Sequence, residues 1–191
     1  MQTVLLIPTA HSIGLTSACL GVMHALDSIG IKAGFMKPFS QSTTPAASHP
    51  SSQADAPTLA RASAIIQNAF GTNPPPSISR QRLERMLGDA QLDDLLEDVV
   101  AQRQSLANYD VVVCEGLIAD DTASYSQQVN AALANALDAK VILVSSTDVS
   151  TTQTANTLAD TLDVFARAFG GLASERVLGT ILMRVRGLGN A

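Results

Sequence analysis

Apolar residues fall along this chain in two rhythms. Unbroken short runs at residues 3–7, 33–36, 111–114, 141–144 and 177–183 are too short for helices and rich in branched side chains, which predicts buried strands. Between them the apolar positions recur at three and four. Ala18, Val22, Ala25, Leu26 and Ile29 predict a helix from about Gly14 that Gly30 stops. Asp55-Ala-Pro57 opens a helix to about Phe70, and the break at 71–76 is followed by helical segments at about 79–87 and 91–106. In the latter, Leu92, Leu95, Leu96, Val99, Val100 and Leu106 share one face. Ser124 with Gln127 and Ser150 with Gln153 are capping-box patterns. The first precedes a face of Tyr125, Val129, Leu133 and Leu137. The second precedes Ala155, Leu158, Leu162, Phe165 and Phe169, ended by Gly170-Gly171. Strands that are apolar throughout, alternating with helices, predict an α/β domain: a mainly parallel sheet of about five strands with helices on both faces, in three layers.

Length and charge narrow the classes. The 191 residues suffice for one domain with a substantial core, so residues 1–191 are read as a single domain. A net charge of −5 and the absence of a basic patch argue against nucleic acid as a partner. No apolar run reaches the ~20 residues that span a bilayer, and the N-terminus lacks the pattern of a signal peptide, so no membrane partner and a cytoplasmic location are expected. Cys19 and Cys114 have no metal-ligand spacing and read as reduced, buried thiols.

Candidate chemistry centres on the first strand–turn–helix, Ile7-Pro-Thr-Ala-His-Ser-Ile-Gly14-Leu15-Thr16-Ser17. It has the layout of a phosphate-binding loop, in which backbone N–H groups and a helix N-terminus hold phosphate, a Lys reaches the terminal phosphates and a hydroxyl meets Mg²⁺. Gly14 and Thr16 stand at the Gly and hydroxyl positions, but Leu15 takes the place of the Lys and Pro8 removes a backbone donor. Such a loop lacks the charge that phosphoryl transfer needs, so no catalytic residue is assigned. The plain alternative is a strand-to-helix turn that requires a glycine. Thr9, His11, Ser12, Gly14, Thr16 and Ser17 are the loop residues expected to face an anion or effector.

Glu115-Gly116 ends the third apolar run with a carboxylate at the carboxyl end of a strand, the edge at which open α/β sheets bind ligands. It reads either as a Mg²⁺-directed acid or as a structural cap. Residues 41–57, rich in Ser, Thr, Pro, Ala and His, read as a loop beside this crevice. The acidic run Asp93, Asp94, Glu97 and Asp98 reads as a solvated helix face, as do Arg61, Arg80, Arg82 and Arg85; His24 and His49 show no partner in the pattern.

Taken together, residues 7–17, Phe35-Met-Lys-Pro-Phe39 with Gln41, Cys114-Glu-Gly-Leu117, and Ala168-Phe-Gly-Gly171 before Gly179-Thr-Ile-Leu182 resemble the N-terminal domain of the long bacterial phosphate acetyltransferases. The Leu after Gly14 is the most specific element of that likeness. The domain is itself similar to dethiobiotin synthetase, a P-loop enzyme, which implies sheet order 2-3-1-4-5. The resemblance to dethiobiotin synthetase further implies Thr16, Asp55 and Glu115 as Mg²⁺ ligands and Lys37 at a substrate- and phosphate-facing position. Met183 stands where that enzyme reads the nucleotide base with an Asn. The phosphate acetyltransferase likeness implies a parent enzyme converting acetyl-CoA and phosphate to acetyl phosphate and CoA through a C-terminal domain absent from this chain.

The expected function is accordingly that of a non-catalytic regulatory and assembly domain. Its partners would be the C-terminal domains of the same enzyme, further copies in a homo-oligomer, and a small nucleotide or metabolite effector, with or without Mg²⁺. An ATP-dependent ligase of the dethiobiotin synthetase type and a purely structural oligomerisation module are the alternatives.

Overall fold

The computed structural model describes residues 1–41, 60–118, 125–146 and 155–185. Its elements run β1 (Gln2–Pro8), α1 (Leu15–Ser28), β2 (Ala33–Met36), α2 (Arg61–Phe70), α3 (Arg80–Gly88), α4 (Leu92–Gln104), β3 (Val111–Glu115), α5 (Ser126–Ala136), β4 (Lys140–Ser146), α6 (Ala155–Arg167) and β5 (Val177–Met183). All four strand pairings are parallel, in the order β2-β3-β1-β4-β5. The α/β class, the parallel sheet and the strand order are those expected.

Two apolar layers follow from the alternation of side chains along the central strand. Leu5 and Ile7 of β1 point to one face, with Val112, Cys114, Val141 and Leu143 beside them. Leu83 of α3, Leu95 and Val99 of α4, Val129 and Leu133 of α5 and Ala166 of α6 cover this layer. Val4 and Leu6 point the other way with Val113 and Val144, under Leu15, Cys19 and Met23 of α1 and Ala62 and Ile66 of α2. A sheet covered on both faces needs apolar residues at every strand position, which is why the strands read as unbroken runs. The edge strand β5 departs from this: Leu178 and Leu182 are exposed, and a register shift interrupts its pairing with β4.

Boundaries differ from expectation at the helix starts. Ser79 caps α3 as its position suggests, its hydroxyl accepting from the Arg82 amide at 3.2 Å. Tyr125 occupies the N-cap of α5 in an αR conformation, with no side-chain cap, and Ser124 of the expected capping box lies outside the described residues. Tertiary contacts support this end, with Ser126, Val129 and Asn130 all buried in the first turns. The expected caps Ser150 and Gln153, most of the 41–57 loop, and the start of the helix from Asp55 lie outside the described residues. Both cysteines are free and buried.

Candidate functional site

The carboxyl ends of β1, β2 and β3 converge on one crevice, and each delivers part of it. β1 ends at Pro8, and the chain turns through Ser12 and Gly14, both with positive φ (53° and 89°), into α1. Gly14 sits at the helix N-cap, where it supplies the left-handed conformation without strain but no side-chain acceptor, and the first turn holds no acid. The leading N–H groups of α1 thus remain available to an anion. Leu15 packs into the α1 side of the core, 4% exposed, and brings no charge to the cavity that it helps to line. The position of the phosphate Lys is therefore structural here.

Across the sheet, Glu115 is 2% exposed at the end of β3. One carboxylate oxygen accepts a hydrogen bond from the Thr16 hydroxyl at 3.2 Å, and the other is ion-paired with the Lys37 ammonium. A buried carboxylate is tolerated because a full positive charge meets it. Lys37 follows directly on β2, and its backbone is held from outside: Ser77 donates to the Lys37 carbonyl at 2.5 Å, and the Ile78 amide donates to the Pro38 carbonyl at 2.7 Å. A short parallel bridge between Phe39 and Ile78 continues the hold. The pair also reaches the Cys19 thiol on α1, which burial and then the Glu115 charge push well above its ordinary pKa, with Lys37 acting in the opposite sense. Burial and Glu115 likewise push up Cys114.

Two side-chain amides fix the segment after Glu115. Asn130 of α5 accepts from the Leu117 amide at 2.8 Å and donates to the Leu117 carbonyl at 2.9 Å, mimicking a neighbouring strand. Gln41 does the same to Ile118, accepting from its amide at 2.8 Å and donating to its carbonyl at 2.9 Å. Between Glu115 and these clamps, Gly116 lies so close to β1 that a Cβ there would meet the Leu6 carbonyl oxygen at 2.9 Å.

Among the expected residues, Thr16, Lys37 and Glu115 come together. Ser12, Gly14, Thr16 and Ser17 line an open cavity of about 300 Å³ with Ile118 and Arg184. Thr9 is buried instead, its hydroxyl donated to Ser145 at 2.9 Å across the β1–β4 junction, and His11 is exposed outside the cavity lining. Asp55 and His49 lie outside the described residues. Met183 leans over the loop: a Cβ on Gly14 would touch its terminal methyl at 3.4 Å. Asn130 and Arg184 are positions that sequence reasoning missed. Asn130 carried a signal, a polar residue three and four positions before Leu133 and Ala134 on an apolar helix face. Arg184, just past β5 with φ 52°, carried none.

A parallel sheet whose central strand runs through a glycine turn into a helix N-terminus, with an acid at the end of the adjacent strand, defines a P-loop-type α/β domain. The chain belongs to the AAA domain family, which matches residues 2–188. It is similar to phosphate acetyltransferases, at 42% identity over 98% of the chain to that of Acinetobacter baylyi and at 39% over 100% of the chain to that of Pseudomonas aeruginosa. The chain spans about a quarter of the length of these relatives (24% and 25%), corresponding to their N-terminal region. Among solved structures, the kinase domain of Escherichia coli tyrosine kinase ETK matches 100% of this chain and 70% of its own at TM-score 0.54 and 11% identity. The signal recognition particle receptor FtsY from Elizabethkingia anophelis matches 95% of this chain and 49% of its own at TM-score 0.53 and 16% identity. These two likenesses are of fold. Among the described residues, no helix is long and apolar enough to cross a membrane.

Proposed function

We propose that this chain is the regulatory and assembly domain of a cytoplasmic phosphate acetyltransferase, whose remaining domains convert acetyl-CoA and phosphate to acetyl phosphate and CoA. Its phosphate-type loop binds a small anionic nucleotide or metabolite and performs no phosphoryl transfer. The observation that carries this reading is the contrast at residues 14 and 15: the loop keeps the glycine turn and the open helix N-terminus, while the catalytic cation position is a buried leucine. Binding needs only the backbone donors, Ser12, Thr16 and Ser17, with Lys37 nearby; turnover needs a cation that follows charge onto the transferred phosphate. The exposed Leu178 and Leu182 on the β5 edge support the assembly role, since an uncovered apolar edge favours contact with further protein, either the rest of the parent chain or another copy.

Thermal-shift measurements with ATP, ADP, NADH, pyruvate and phosphate, each with and without Mg²⁺, test the proposal. A ligand bound only by the folded state at ~100 times its dissociation constant stabilises by about 2.7 kcal/mol. The expected result is a shift with at least one anion that Thr16→Ala weakens. No shift with any of them would leave the loop a turn and the domain a structural assembly module. The proximity of Lys37 to Glu115 favours one second reading, an ATP-dependent ligase in which Lys37 replaces the missing loop cation. That reading requires ADP release from Mg²⁺-ATP with a diamino-acid substrate, and the expected outcome is none.

A further inference from the structure

The fold implies a divalent cation between the loop hydroxyl and the acid that ends β3, and the described residues, which do not include Asp55, do not fit one. Magnesium demands near-octahedral oxygen ligands at ~2.0–2.1 Å and keeps several of its waters. Here one Glu115 oxygen holds the Lys37 ammonium, and the other accepts the Thr16 hydroxyl at 3.2 Å, so both oxygens of the only acid in the crevice among the described residues are already engaged. Glu115 is almost wholly enclosed, at 2% exposure, with little space for a hydrated ion. Among the described residues, no cluster of three or more His, Cys, Asp or Glu side chains offers an alternative centre. A divalent ion placed beside Glu115 would stand against the Lys37 charge at close range.

We infer that the Lys37 ammonium is the resident cation of this crevice, holding Glu115 and Thr16 in the place of a divalent metal, so that metal and Lys37 exclude one another. Lys37 suits the role because its backbone is fixed before it by the β2–β3 pairing and after it by Ser77 and the Phe39–Ile78 bridge, and its side chain is 13% exposed. An ammonium needs only donors directed at oxygens, which a single carboxylate satisfies, whereas a metal needs an open shell. The inference goes beyond the effector reading and is independent of it, since a domain on which no metabolite acts would still show this competition between ions.

Manganese alone, followed by electron paramagnetic resonance and by thermal shift on the full chain, is the test. Wild-type protein should retain no more Mn²⁺ than Glu115→Gln, and its melting temperature should not respond. Lys37→Met uncovers the carboxylate and should gain Mn²⁺ affinity by about tenfold or more. Its melting temperature should rise with Mn²⁺, including recovery of folding where the uncompensated Glu115 charge has cost it. Lys37→Gln, which keeps a donor for Glu115, should show the same gain more weakly. Adding Glu115→Gln to either should abolish it. A Mn²⁺ site in wild type that Glu115→Gln removes, or Lys37 variants that neither bind Mn²⁺ nor regain stability in it, would overturn the assignment.

Discussion

Asn130 offers the sharpest test of how the crevice is held. Its amide makes both hydrogen bonds of Leu117, at 2.8 and 2.9 Å, and it is 3% exposed. Asn130→Ala leaves a buried N–H and a buried carbonyl without partners, and each such group costs about 1–3 kcal/mol. The loss should therefore be about 2–6 kcal/mol, with about 4 kcal/mol as the working figure. In a protein of this size each kcal/mol corresponds to about 2–4 °C, so the melting temperature should fall by about 8–16 °C. Urea unfolding followed by circular dichroism should show a lower midpoint with an unchanged slope.

The nearly isosteric Asn130→Asp separates hydrogen bonding from packing. It keeps the acceptor for the Leu117 amide, but sets a carboxylate oxygen against the Leu117 carbonyl. Protonation restores the donor, so the introduced carboxyl should have a folded pKa above its unfolded value of about 3.9. A raised folded pKa gives stability that is fully present below the unfolded pKa and lost as pH rises through the folded one. The deficit against wild type should thus be smallest near pH 4 and largest at neutral pH. A loss below about 1 kcal/mol for Asn130→Ala, or a deficit in Asn130→Asp that ignores pH, would mean that water rather than Asn130 satisfies Leu117.

Gly116→Ala should cost about 1–3 kcal/mol in the same unfolding assay, because the new methyl meets the Leu6 carbonyl at 2.9 Å on the central strand, where the backbone cannot yield. Gly34→Ala places its methyl 2.7 Å from the Tyr109 ring, and Tyr109→Ala should rescue it. A double-mutant cycle that returns simple additivity would show that the ring does not rest there. Cys19 and Cys114 should resist alkylation at pH 8 in the folded state and react together on unfolding, measured by mass spectrometry. Because burial raises both thiols in the folded state, stability should be undiminished below their ordinary value near 9.0 and fall as pH rises above it.

What could be read from the residues is what periodicity encodes. The runs at 33–36 and 177–183 became β2 and β5 without a change of boundary, the first because it is enclosed on both faces and the second because it lies between the Gly170-Gly171 break and Arg184 in spite of its partly exposed edge. The crevice was legible at Gly14 and Glu115, whose types follow from backbone conformation and from the end of a strand, and at Thr16 through the spacing of the loop. Lys37 could be brought to the crevice by family likeness, yet its pairing with Glu115 could not, since it depends on how β2 and β3 lie side by side. Thr9 misled for a related reason. A hydroxyl in a phosphate-type loop suggests a ligand, but β4 brings Ser145 within reach and takes the bond.

The strand order has a consequence for how the domain is made. β1 and β2 leave the ribosome early, but neither touches the other in the finished sheet; β3 lies between them and follows β2 by roughly 75 residues. At translation rates of about 5–20 residues per second, β2 waits about 4–15 s, and β1 longer still, for the strand that joins them. Through that interval Leu5, Leu6, Phe35 and Met36, all fully enclosed in the native state, have no sheet to enter. The nascent chain is then most exposed to chaperones and to aggregation just before Val111 emerges, and slowing synthesis upstream of β3 should lower its soluble yield more than slowing it downstream of β5.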